Sequence, residues 1–62
     1  MQPGKAHITV KYTDMTIVEF HLEANTFIEA SARATVLADE ELDYNHSPGV
    51  RIVTLVLEWT PV

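Results

Sequence analysis

No cysteine occurs in this sequence, so neither a disulfide nor a cysteine-based zinc site can staple the chain. Basic residues are scarce too: four Lys and Arg stand against nine Asp and Glu, a formal net charge of −5. Such a surface repels phosphate, which argues against direct nucleic-acid binding and suits a basic protein surface or simple solubility. Only two glycines and three prolines interrupt a composition that is 47% hydrophobic, so the chain is not a disordered tract. No apolar run approaches the length of a membrane span, and "MQPGKAH" lacks the apolar core of a signal peptide; the expected location is cytoplasmic, away from membranes. What remains is one domain over residues 1–62, with 1–5 as a flexible tail. At that length a single core is barely sufficient without staples, and an oligomer or a bound partner often supplies the missing stability.

The first half of the chain alternates. In "AHITVKY" Ala6, Ile8, Val10 and Tyr12 face one way and His7, Thr9 and Lys11 the other; in "TIVEFHLEA" Val18, Phe20, Leu22 and Ala24 oppose Ile17, Glu19, His21 and Glu23. Pairing Tyr12 with Thr16 across a "TDM" loop sets Val10 against Val18, Ile8 against Phe20 and Ala6 against Leu22. All the apolar side chains then share one face, and a one-residue slip would destroy this. Lys5 then meets Glu23, and His7 meets His21.

From Asn25 the spacing becomes helical. Thr26 and Glu29 form a capping box, and Phe27, Ala30, Ala34, Leu37 and Ala38 make one stripe with Leu42 at its border. The helix is predicted to end between Ala38 and Tyr44, before the breaker "NHSPG". The last strand, "GVRIVTLVLEW", is apolar on both faces: Val53, Leu55, Leu57 and Trp59 on one, Ile52 and Val56 on the other. The predicted fold is α+β: a β-hairpin, one α-helix and one β-strand, forming a three-stranded, mainly antiparallel sheet with the helix on one face. Strand order 2-1-3 is preferred over a last strand parallel to the second. Phe20, Leu37, Leu55 and Trp59 are expected in one core.

Chemistry-bearing constellations are few. His7 and His21, flanked by Glu19 and Glu23, could be imagined around zinc, but two solvated histidines on a polar face are the favoured reading, and no metal or cofactor is expected. Ser31 lies on the helix and Ser47 in the breaker loop, neither in a G-x-S-x-G elbow, and no glycine loop cradles phosphate. With a domain too small to enclose a drug-sized pocket, an enzyme is not expected.

Two surfaces stand out instead. Asp39, Glu40, Glu41 and Asp43 crowd the end of the helix, where the dipole disfavours acids; they are expected to dock a protein partner with a basic surface. If the regular helix stops near Ala38, Asp39 could cap a further short turn. Ile17, Ile52 and Val56 are expected to form an exposed patch on the uncovered sheet face, the interface of a homodimer built face to face or edge to edge.

The element order, the short acidic chain and the stretch "LEANTFIEASARA" with its T-x-x-E-A step resemble two groups. One is the small podovirus-encoded inhibitors of bacterial RNA polymerase, and the resemblance spans roughly residues 6 to 60. The other is the partial-fold antitoxins, whose hairpin also runs into such a helix. The resemblance implies a non-enzymatic protein–protein interaction module, phage-encoded, regulating or inhibiting a host protein. The alternatives are a structural homo-oligomer assembled through its apolar sheet face, and an acidic nucleic-acid mimic.

Overall fold

Two alternating segments pair in the register their apolar residues require. In the computed structural model, which describes residues 3–62, β1 (Gly4–Tyr12) and β2 (Ile17–Ala24) form an antiparallel hairpin. Val10 lies opposite Val18, Ile8 opposite Phe20 and Ala6 opposite Leu22, with Lys5 against Glu23 and His7 against His21 on the other face. The loop turns through Met15, which takes a left-handed φ of 73°, while Asp14 accepts a hydrogen bond from the Thr16 amide at 3.1 Å. The helix α1 (Phe27–Asn45) follows, with Thr26 as its N-cap accepting from the Glu29 amide at 3.1 Å. A turn with Pro48 and Gly49 (φ 94°) leads into β3 (Ile52–Pro61), which pairs antiparallel with β1. The fold is therefore α+β, with strand order β2-β1-β3.

The core centres on the middle strand because only β1 has a neighbour on both sides. Ala6, Ile8, Val10 and Tyr12 are buried together with Leu22, Ala24, and Ala30, Ala34 and Ala38 of the helix. Three alanines spaced four apart leave no side chain to hold the helix off the sheet, so its backbone comes close. The Tyr12 hydroxyl accordingly donates to the Ala38 carbonyl at 3.0 Å. Phe20, Leu37 and Trp59 pack around this centre, partly buried. Leu55 departs from the expected core, since β3 is an edge strand and the side chain stays 37% exposed.

Four further expectations are corrected. The tail is shorter than residues 1–5, because Gly4 and Lys5 already belong to β1; residues 1 and 2 lie outside the described residues. Gly4 is required by close approach: a Cβ there would lie 2.5 Å from the Trp59 ring and 2.8 Å from the Thr60 carbonyl oxygen. The helix runs to Asn45, one residue past the predicted window of Ala38 to Tyr44, so Asp39 lies within it and caps no further turn. Ile52 does not share a face with Val56. Lys11 pairs with Thr54 but Tyr12 with Ile52, so Val53 bulges and turns Ile52 toward the helix-covered core. Finally, Ile17 and Val56 are exposed on the open face but are not neighbours: they flank β1 on opposite sides, opposite Lys11 and Thr9. Most of that face is polar, carrying Lys5, His7, Glu19, His21, Glu23 and Glu58, so it does not need an apolar cover. No described helix is long and apolar enough to cross a membrane.

Candidate functional site

The acidic run divides into two parts. Asp39, Glu40 and Asp43 point to solvent on the last turns of α1, which has no basic residue in its final turn. Glu41 does not join them, and its assignment to a free docking surface is corrected. One position further along the wheel brings it toward the sheet, where its Oε2 lies 3.1 Å from Nε2 of His46. His46 leaves the helix with extended backbone (φ −128°, ψ 156°), and its ring folds back onto Tyr12 with centroids 4.2 Å apart. Its Nδ1 lies 2.7 Å from Asp14 Oδ2 in the hairpin loop.

An imidazole whose side chain is only 5% exposed thus bridges two carboxylates from different elements. The Asp14 contact is the stronger one. Glu41 lies within ion-pair distance, yet the alignment at Nε2 falls short of a hydrogen bond. Only a doubly protonated ring could donate on both sides. Burial first, then the nearby Glu41, Asp39 and Asp14 carboxylates, raise the Tyr12 phenol above its ordinary value.

Hydrogen bonds from the Thr16 hydroxyl and then from His46 hold the Asp14 carboxyl down at about 2. A carboxyl depressed in the folded state contributes stability above its unfolded value and loses it as pH falls toward the folded one. The melting temperature should therefore fall as pH drops from 3.8 toward about 2. Asp14→Asn should flatten that part of the profile; an unchanged acid limb in the variant would assign the dependence to other groups.

On the open face His7 is also engaged by carboxylates, with Nε2 at 2.6 Å from Glu19 and Nδ1 at 3.3 Å from Glu58. His7 and His21 stack with centroids 4.6 Å apart and planes within 2°. Parallel rings send their in-plane lone pairs side by side rather than toward one point, a poor arrangement for a shared ion. Among the described residues no group of three or more His, Asp or Glu is arranged to hold a metal.

The two sheet edges differ as well. Tyr12 donates its amide to Thr16, so even-numbered β1 residues bond to β2 and odd-numbered ones to β3. The Thr13 amide donating to the Arg51 carbonyl agrees. On β2 this turns the backbone of Glu19, His21 and Glu23 outward, and Arg33 covers the last of these by donating to the Glu23 carbonyl at 2.7 Å. Charged side chains and a bound guanidinium blunt that edge. On β3 the outward backbone belongs to Leu55, Leu57 and Trp59. Val53 and Leu55 are 52% and 37% exposed, Val56 is 53% exposed on the other face, and Phe27, edge-on to Trp59, is 51% exposed. Glu58 is the one charge along the strand.

Alternation alone shows this strand apolar on both faces and leaves face-to-face and edge-to-edge pairing open; the strand order places it at a sheet edge. Alternation does not reveal the His46 bridge. The available signal was the histidine just past an acidic helix end, five positions after Glu41. No family model, curated protein or solved structure matches the chain.

Proposed function

We propose that the chain is a non-enzymatic protein–protein interaction module, a regulator or inhibitor that works by presenting the outer edge of β3 to another polypeptide. One observation carries this: a ten-residue edge strand with outward backbone groups and exposed apolar side chains on both of its faces. Main-chain hydrogen bonds along such an edge supply affinity, and alternate side chains supply selectivity. Asp39, Glu40 and Asp43 add an exposed negative end that would steer a basic partner into place, raising association rate more than affinity.

A photo-crosslinking residue at position 55 tests the edge. Adducts of defined mass should form in a cell lysate and disappear in a Val56→Lys background; no adducts, or adducts indifferent to that change, would sink the reading. The acids are tested separately with Asp39→Asn, Glu40→Gln and Asp43→Asn combined. That variant should melt at the same or a higher temperature, because repulsion and the dipole conflict are relieved. Adduct formation should slow and lose part of its salt dependence. If the variant unfolds, the three acids are structural and steering is excluded.

A further inference from the structure

If β3 is an interaction edge, as proposed above, its own pattern identifies what it accepts. We infer that the occupant is a second copy of this chain, paired antiparallel through β3 with Val56 opposite Val56, joining two three-stranded sheets into one of six strands.

The register follows from faces and charges. A two-fold axis perpendicular to the sheet keeps both helices on one side, so opposed residues must come from the same face of the strand. With Val56 on the axis, Leu55 meets Leu57 and Val53 meets Trp59 beneath the helices. On the open face Thr54 meets Glu58. The outward backbones of Leu55 and Leu57 then pair with each other, as the hydrogen-bond alternation requires. Moving the axis to Glu58 sets two carboxylates against each other, and moving it to Leu57 sets Glu58 against Val56. Placing it at Leu55 sets Arg51 against Trp59 and Ile52 against Glu58, although the bulge has turned Ile52 to the other face. Of these registers, the Val56 one matches apolar with apolar from Val53 to Trp59 and leaves the single acid opposite a hydroxyl; past the bulge it sets Ile52 against Thr60, so the pairing ends at Val53.

The helices agree with this arrangement. α1 begins beside Trp59 and ends beside Asp14, at the far end of the sheet. Two-fold pairing sets the two helices antiparallel on one side of the joined sheet, each over its own copy's strands. The alternative of stacking sheets face to face would desolvate Lys5, Glu19, Glu23 and Glu58 and is disfavoured. Edge pairing leaves them in water.

The absence of cysteine makes the register directly testable. Residues with Val56 parity form the non-hydrogen-bonded pair of an antiparallel ladder, with Cα atoms about 4.5 Å apart, within disulfide reach. Val56→Cys should oxidise to a covalent dimer of twice 7.0 kDa at micromolar concentration. Thr54→Cys alone should not, because its counterpart lies opposite position 58, whereas an equimolar mixture of Thr54→Cys and Glu58→Cys should cross-link. In sedimentation the unmodified chain should dimerise, and Val56→Lys, which sets two ammonium groups face to face, should weaken association by about tenfold or more.

A wild-type chain that stays at 7.0 kDa up to millimolar concentration overturns the inference. So does a Thr54→Cys variant that cross-links as readily as Val56→Cys. A monomer that still gives lysate adducts at position 55 would end self-pairing while sparing the interaction reading. A dimer giving no other adducts would do the reverse.

Discussion

Ile8→Ala is expected to leave the domain largely unfolded in water at room temperature. Ile8 is fully buried in the central strand, between Phe20 on one side and Leu57 on the other. Truncating such a residue costs about 2–5 kcal/mol when the surroundings cannot collapse into the space. At ordinary per-residue stabilities, a domain of this length holds only roughly 3–9 kcal/mol in total. Leu55→Ala removes a side chain that is already 37% exposed, and its cost should be far smaller. Urea unfolding of both variants decides the matter. If Ile8→Ala keeps a midpoint near wild type, or if Leu55→Ala is the more damaging of the two, the core is not centred on β1.

The second large effect runs in the opposite direction, from adding volume. Ala34 has no exposed surface and lies in the middle of the alanine stripe facing β1. Ala34→Leu should push the helix off the sheet at a cost of about 1–3 kcal/mol or somewhat more. It should also lengthen the contact between the Tyr12 hydroxyl and the Ala38 carbonyl. Ala32→Leu, on the exposed side of the same helix, adds equal volume with nearly equal helix propensity and should be close to neutral. Comparable melting of the two variants would mean that the helix rides above the sheet loosely enough to accept a side chain there.

The hairpin and the sheet order were legible because one constraint determined them. Val10, Ile8 and Ala6 share a face with Val18, Phe20 and Leu22 in one register alone, and one apolar stripe on one helix needs one sheet face to bury it. The size of a side chain was a poorer guide to burial than its place in the topology. Tyr12 is fully buried because its strand is central, whereas Leu55 and Val53 stay half-open because theirs is at the edge. The bulge at Val53 was not visible in a strictly alternating pattern, since one extra residue changes the face of Ile52 without changing any residue type. Glu41 looks like its three acidic neighbours in the sequence, and only the fold brings the His46 ring back against it, with Asp14 on the ring's other nitrogen.

The position of β3 in the chain also decides the order in which the fold can be made. β1 closes onto β2 across a three-residue loop, and helix turns are local, so these form on short timescales. Gly4 and Pro61, by contrast, must find each other across nearly the whole sequence. Closing so long a loop costs entropy before any contact repays it, which makes docking of the last strand the slow step. Substitutions in β3 that destabilise the domain should therefore act mainly by speeding unfolding, and those in the hairpin and helix more by slowing folding. If docking of β3 is the last step of folding, its release is the first step of unfolding, and it uncovers a second unpaired edge along β1.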